Sequence, residues 1–439
     1  MEKQSYNFAT AISMVVGVVI GSGIFFKADD ILIAVNGNVM LGVIGFLVVG
    51  LGVLFGALAI SYYSFKDKEH TGIIGYSRMA LGSKFAFVVG WFTMLGYFPT
   101  FVVVLATVGA IYMSVLLNID SKLFISIATA ILLASSLIIN YKYPKVGGKL
   151  QVVFTVAKII PLIIIGLIGT LFFTDAASIE TVATNTLTGG KPFSALIAIA
   201  FAFDGWIVTT NISSELQDSE KNLPRALALG SVAIVAIYCL YFFGVTQIVG
   251  PEEIVRLGDG YTEVAAQAVL GPIGGKIITM FVIISVYGGL NGMTLAFLRI
   301  PRTMIETGLM KNIYGNDQEK SSHNMFLLCT AAIVFYFIFQ QLLNYELIFT
   351  KLSVPFDLSN LPIIINYIFY IVLFIIVNRV TKQETTAKRL YYLFISLIAT
   401  ITAVVIIMGT VQVNGLLYIL CSVILAICGI PFYKRQTAQ

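Results

Sequence analysis

Few side chains in this sequence are equipped for chemistry, and the ones that are lie inside long apolar runs. Asp204 sits beside Gly205 in Phe201-Ala202-Phe203-Asp204-Gly205-Trp206, and Lys158 sits three residues before a proline in Phe154-Thr155-Val156-Ala157-Lys158-Ile159-Ile160-Pro161. A charge at membrane depth costs about 2.5–3.5 kcal/mol on insertion scales, so such a residue is partnered or lines a cavity. A third feature belongs to the backbone: Gly17-Val18-Val19-Ile20-Gly21-Ser22-Gly23-Ile24-Phe25-Phe26 puts Gly21, Ser22 and Gly23 in the middle of the first apolar run. A mid-helix glycine costs about 0.5–1 kcal/mol relative to alanine. Two readings follow, a small-residue surface for close helix packing or a broken helix. A break would turn the N–H groups of about Ser22 to Ile24, with the positive end of a helix dipole, toward a carboxylate. It would leave the carbonyls of about Val18 to Ile20 as acceptors for an ammonium. The chemistry offered is the binding of a zwitterion.

Other reactive constellations are missing. His70 and His323 both fall in polar loops, and Cys239, Cys329, Cys421 and Cys428 lie in apolar stretches without a CxxC pattern. No metal site, cofactor or histidine-based triad is supported. An intramembrane enzyme would need a nucleophile and a base at depth, and only Asp204 and Lys158 are candidates.

The elements that must hold these residues are transmembrane helices. With 58% hydrophobic and 11% charged residues and a mean hydropathy of +0.93, the chain is far from soluble composition, where about a quarter of residues are charged. Runs long enough to cross about 30 Å of hydrocarbon predict twelve spans, near 9–34, 39–63, 84–117, 123–141, 148–173, 192–215, 224–249, 265–298, 325–343, 355–378, 390–410 and 413–433. The run from Phe8 is expected to remain as the first span rather than be cleaved as a signal. The net charge of +5 forms no continuous patch that would hold nucleic acid. Of 27 Lys and Arg, 20 fall on the side of the N-terminus and four, Lys122, Lys191, Arg256 and Lys351, in the opposite loops. The positive-inside rule then places both termini in the cytoplasm. Residues 1–439 read as one transmembrane domain, with short amphipathic helices possible in the loops at 62–83 and 299–324.

Breaks in spans one and six stand five spans apart, the separation expected if 9–173 and 192–378 are inverted repeats and 390–433 adds two further helices. Paired interruptions in corresponding positions point to a transporter site at the bilayer midplane. Asp204 reads either as a cap for a half-helix starting near Trp206 or as a direct substrate contact. Lys158 either snorkels to the cytoplasm or points inward. Gly288-Gly289-Leu290-Asn291-Gly292 in span eight reads as close helix packing.

Gly17-x-x-Ile20-Gly21-Ser22-Gly23-Ile24-Phe25, the Phe201 to Trp206 break, the Glu215…Asn222-Leu223-Pro224-Arg225-Ala226 turn and Lys158 together resemble the amino acid, polyamine and organocation superfamily of permeases. They are most similar to its L-amino acid transporter branch, near the bacterial serine/threonine and alanine-serine-cysteine exchangers. The likeness runs from span one to about span eight. It implies a LeuT-type all-α fold of five-plus-five inverted repeats with helices 1 and 6 unwound, and amino acid exchange without sodium. By resemblance the substrate carboxylate sits on the amides of Gly21, Ser22 and Gly23, and the amino group faces carbonyls near Val18, Val19, Phe201, Ala202 and Asp204. Phe201 takes the place of the family's aromatic gate. Lys158 matches a lysine whose ammonium replaces a sodium ion, and Tyr238 a supporting tyrosine of span seven. Two positions depart from the pattern: Thr71-Gly72-Ile73-Ile74-Gly75-Tyr76-Ser77 replaces the usual loop after span two, and Met293 stands where the exchanger has a lysine.

The expected partners are thus small amino acids and the lipid bilayer of the plasma membrane. Phe201 and the bulky residues of span six favour small neutral side chains of the Ala, Ser, Thr and Cys class. A uniporter or proton-coupled permease for other amino acids is the alternative. A channel is disfavoured, because one chain with two non-equivalent breaks lacks the repeated lining of an oligomeric pore.

Overall fold

The computed structural model describes residues 7–21, 23–66, 72–143, 159–173, 190–207, 210, 216–311, 318–348 and 356–434. Within them the regular elements are helices, joined by short turns. Nine are long and apolar enough to cross a membrane: Val39–Lys66, Ser83–Leu117, Lys122–Lys142, Ser219–Val249, Pro251–Glu306, His323–Asn344, Asn360–Gln383, Thr386–Gln412 and Gly415–Phe432. Three more apolar helices, Phe8–Gly17, Ile159–Phe172 and Pro192–Ala202, are shorter. At 1.5 Å rise per residue, Phe8–Gly17 and Pro192–Ala202 cannot cross about 30 Å alone, while Ile159 is the first described residue after 143. The three fall in the predicted spans one, five and six. Two of the three end at the glycine-containing stretches, where each glycine costs a helix about 0.5–1 kcal/mol and lets the backbone leave helical space.

Local chemistry sets several ends. Asn7 caps the first helix, its Oδ1 accepting from the Thr10 N–H at 2.9 Å, and Ser121 caps the Lys122–Lys142 helix through the Phe124 N–H at 3.2 Å. The expected span 265–298 contains a turn at Gly271, whose φ of 74° is followed by Pro272. Proline cannot continue the ladder and the left-handed φ suits glycine. Helices also stand in both loops expected to hold them, Gly72–Leu81 and Ile300–Glu306.

Apolar side chains face outward along the bundle, among them Phe172 at 77% and Val411 at 86% exposure. That is costly in water and natural against lipid. At the centre, Val39–Lys66 packs on Ser219–Val249 and Thr386–Gln412, and Ser83–Leu117 packs on Tyr261–Phe297. The long helix Ser83–Leu117 carries a π-helical turn at Thr93–Tyr97, a feature that inserts a residue and re-aims the side chains beside it.

One polar knot lies outside the bundle core. Glu384 accepts from Lys66 Nζ at 2.8 Å and from the Tyr62 hydroxyl at 3.0 Å, with Lys388 Nζ at 3.3 Å. The Lys66 hydrogen bond, assisted by those from Tyr62 and Lys388, pulls the Glu384 carboxyl down to about 2. A depressed folded pKa stabilises above the ordinary carboxylate value and is lost as pH falls toward 2. Glu384→Gln is therefore expected to lose about 1 kcal/mol at pH 7, with the gap to the native protein closing as pH drops below 4.5. Thermal unfolding in detergent at pH 7 and pH 3.5 measures it; an equal gap at both would show that the charge contributes nothing.

Candidate functional site

The Phe8–Val19 helix stops at Ile20, whose ψ of 88° leaves helical space. A short 3₁₀ turn, Gly23–Phe25, and the seven-residue helix Ala28–Ala34 carry the chain onward. The second interruption follows Pro192–Ala202: Asp204 N–H still reaches the Phe201 carbonyl at 3.1 Å, and Gly205 then turns the chain with φ of 95°. At that φ any residue with a Cβ would be strained.

The two breaks meet. A Cβ built on Gly23 would lie 2.9 Å from Ala202 Cα and 3.2 Å from Phe201 Cδ1, so only glycine lets these backbones touch. Tyr238 joins them from the Ser219–Val249 helix. Its buried hydroxyl lies 2.9 Å from the Ala202 carbonyl oxygen and 3.1 Å from that of Val19, sharing one proton across the two freed acceptors. The Gly21 backbone N–H lies toward the same oxygen. Beyond the first break, the Phe25 carbonyl accepts from Tyr112 Oη at 2.5 Å and Thr262 Oγ1 at 3.1 Å. Each unpaired carbonyl at this depth would cost several kcal/mol. Side chains from three other helices therefore replace the hydrogen bonds that the breaks removed.

Phe201 is buried at the junction. It stacks on Phe101 with centroids 4.6 Å apart and planes at 7°, and meets Phe26 edge-on at 5.6 Å. Lys27 Nζ lies 5.5 Å from the centroids of both the Phe26 and Phe201 rings. This lysine is only 4% exposed and is held by Asp30 Oδ2 at 2.6 Å and Asp357 Oδ2 at 3.1 Å. Asp357 is fixed in turn by the Ser359 N–H and hydroxyl, at 2.8 and 2.7 Å. The cluster ties the half-helix after the first break to the segment before Asn360–Val380 and covers Phe201 on that side. Sequence reasoning gave Lys27 no role. Its signal was present, since Lys27, Asp29 and Asp30 are three charges inside a run assigned to the membrane.

Asp204 lies on the other side of the junction. Its Oδ2 accepts from Tyr97 Oη, and the Gly205 backbone N–H lies against the same carboxylate. Tyr97 closes the π-helical turn, which aims its ring at the break. No sequence pattern marks it, because one tyrosine in an aromatic-rich span has no periodic signature. Tyr97 also lines a cavity of about 210 Å³ with Gly72, Ile74, Thr93, Ile207, Thr303, Asn366 and Tyr370. Thus the Lys27 end of the junction is covered by ion pairs and the Tyr97 end opens on a cavity.

Of the residues expected to form the site, Val19, Gly21, Gly23, Phe201, Ala202 and Tyr238 converge, with Asp204 adjoining. Val18 lies in the last turn of the first half-helix. Ser22 and Lys158 lie outside the described residues. Among the described residues no group of His, Cys, Asp and Glu is placed to hold a metal.

A sequence profile of the amino acid permease family matches residues 6–430. The serine/threonine exchanger SteT of Bacillus subtilis (strain 168) is 29% identical over 450 residues, covering 100% of this chain and 98% of that protein. The large neutral amino acids transporter small subunit 2 of Oryctolagus cuniculus is 26% identical over 301 residues, 66% of this chain and 55% of its own length. An arginine/ornithine antiporter of Latilactobacillus sakei is 23% identical over 438 residues, 97% of this chain and 88% of its own. With the profile running almost end to end through an all-helical, multi-pass bundle, the chain belongs to the amino acid permease family of the amino acid, polyamine and organocation superfamily, a family of membrane transporters and not of enzymes.

Proposed function

We propose that this protein is a secondary transporter that exchanges small neutral L-amino acids across the plasma membrane by alternating access, without sodium. The observation that carries this reading is the contact of two broken helices at Gly23 and Ala202, with Tyr238 bridging the carbonyls of Val19 and Ala202. Backbone ends of both signs are thereby concentrated at one point inside an apolar bundle. A zwitterion of any α-amino acid fits them, its carboxylate toward the amides of Gly21, Ser22 and Gly23 and its ammonium toward carbonyls of Val18, Val19, Phe201, Ala202 and Asp204. Side-chain volume then selects, and Phe201, packed against Phe101 at the junction, favours small side chains such as those of Ala, Ser, Thr or Cys. The full-length similarity to a serine/threonine exchanger supports the class.

In this reading the three shorter apolar helices belong to spans one, five and six, giving twelve spans with both termini cytoplasmic. The helix contacts support two inverted repeats. Phe8–Val19 packs on Ser219–Val249 as Pro192–Ala202 packs on Val39–Lys66, and Lys122–Lys142 packs on Tyr261–Phe297 as Gln318–Asn344 packs on Phe98–Leu117. Exchanging each span with the one five places away turns each of these contacts into its partner. The Lys27 cluster then closes the outer side and the cavity at Tyr97 faces the cytoplasm, as one half of a transport cycle requires.

Proteoliposomes loaded with unlabelled serine or alanine should take up labelled serine much faster than empty ones, equally with and without sodium. Equal uptake into both would overturn exchange; uptake confined to arginine or ornithine would overturn the substrate class. Two variants probe the site itself. Tyr238→Phe leaves two buried carbonyls short of a donor, at about 1–3 kcal/mol, and is expected to slow exchange 10-fold or more while inserting normally; native rates would remove Tyr238 from the site. Lys158→Ala is expected to insert but lose most sodium-free transport. If it transports normally, no ammonium stands in for sodium.

A further inference from the structure

Asp204 carries a charge that the proposed binding scheme does not use, and this inference rests on that scheme. A zwitterion brings no net charge, and both of its ends are met by backbone dipoles. An ionised Asp204 would therefore add a negative charge at the level of the break that neither end of the substrate compensates. Its contacts are the Tyr97 hydroxyl and the Gly205 N–H. The other titratable groups that face it are the phenols of Tyr367 and Tyr370 on the Asn360–Val380 helix. Among the described residues no lysine, arginine or histidine acts on it. Among the described residues the buried cation at the junction is Lys27, and it is already held by Asp30 and Asp357. A carboxylate left unpaired in such surroundings costs several kcal/mol, and the ways to relieve that are a proton or a cation.

Geometry favours the proton. Tyr97 and Tyr370 are both walls of the 210 Å³ cavity, so the oxygen donating to Asp204 belongs to a residue lining open space. Asn366, on the same wall and 4% exposed, has a buried Oδ1 with no hydrogen-bond partner. Water takes about 30 Å³ per molecule and settles where buried polar atoms need partners, so this cavity has the room and the polar lining for a short hydrated path. Phenol hydroxyls pass protons and offer no positive charge.

We infer that Asp204 is a proton-binding site reached from the cavity past Tyr97, and that the carrier crosses the membrane with this carboxyl protonated. Proton binding is reversible, O–H formed on Asp204 on one side and released to water on the other, so no further reactant is needed. The sign follows: with the group neutral at low pH the loaded carrier moves, and as pH rises the carboxylate holds it back.

The test uses the full chain in liposomes with matched internal and external pH. Serine exchange is expected to fall about 10-fold between pH 5.5 and 8.5, and Asp204→Asn, which cannot ionise, to follow a profile flat within 2-fold. Tyr97→Phe removes a donor that favours the carboxylate and should move the fall to higher pH. An active native protein with a flat profile would overturn the inference, as would an Asp204→Asn variant that inserts and elutes as a single species yet is inactive at every pH, the mark of an acid that pairs with the substrate ammonium. Infrared difference spectra of the protein in detergent give a readout independent of transport: the protonated-carboxyl C=O band that appears on acidification should vanish in Asp204→Asn. If the band is unchanged in the variant the inference falls, whether or not the protein exchanges amino acids; if the band is lost but the native protein exchanges none, the functional reading fails and the proton site stands.

Discussion

Gly23→Ala is expected to insert and remain folded while exchanging amino acids at least 10-fold, and up to about 100-fold, more slowly than the native protein. The added methyl would sit 2.9 Å from Ala202 Cα, a backbone atom that cannot swing aside, and 3.2 Å from the Phe201 ring. Overpacking of this kind costs about 1–3 kcal/mol, and each 1.36 kcal/mol is tenfold in rate. The penalty falls on the contact between the two broken helices, through which the substrate ends would be held. Gly260→Ala is the control, since its φ of −73° suits any residue and a Cβ there meets nothing within 4 Å. It should stay within 2-fold of native. Native exchange by Gly23→Ala would mean that the breaks do not bear on one another in the working protein.

Lys27→Met should have the second large effect. Methionine keeps most of the volume but removes the charge shared by Asp30 and Asp357. Removing one partner of a buried pair costs about 3–5 kcal/mol. Here the two acids are 43% and 40% exposed, so water compensates part of it, and about 1–3 kcal/mol is a better expectation. That energy is lost from the form in which the Lys27 end is shut. The balance between facing states should move 5-fold or more toward the opposite form, with exchange reduced by a similar factor. A cysteine placed at Thr303, on the cavity wall, reports it directly: in Lys27→Met it should label more slowly with a thiol reagent from the cavity side. Lys27→Arg, which keeps the charge, should label nearly as the native protein does. Unchanged labelling in Lys27→Met would show that the ion pairs hold the half-helix without holding the state.

What the sequence disclosed and what it hid follow from the range of each signal. Gly21, Gly23 and the Asp204-Gly205 pair stood out because they violate a local expectation, that an apolar helix keeps its glycines and acids few. The family pattern carried Phe201 and Tyr238, and both lie at the junction. Lys27 violated the same expectation and was visible, but its meaning depends on Asp357, 330 residues away, and no local rule connects them. Tyr97 is harder still. Its role comes from a π-helical turn, and a sequence read at 3.6 residues per turn has no way to register a residue inserted into that period. The helix ends at Ile20 and Ala202 were expected; the tyrosine and threonine hydroxyls that satisfy the Phe25 carbonyl were not, since Tyr112 and Thr262 meet it only in three dimensions.

The π-helical turn at Thr93–Tyr97 also sets how this protein tolerates change in length. Such a turn holds one residue more than an α-helical turn, and each residue of an α-helix advances about 100° around the axis. Removing any single residue between 93 and 97 would let the turn relax into an ordinary helix. Everything from Phe98 to Leu117 would then keep nearly its present orientation relative to Ser83–Phe92, because the wider turn spreads its extra residue over about the same rotation. Phe101 would stay on the face of Phe201, Phe98 on that of Phe297 and the Tyr112 hydroxyl near the Phe25 carbonyl, while Tyr97 would lose its aim at Asp204. In this segment the helix beyond the turn tolerates one residue fewer, whereas the aim of Tyr97 does not.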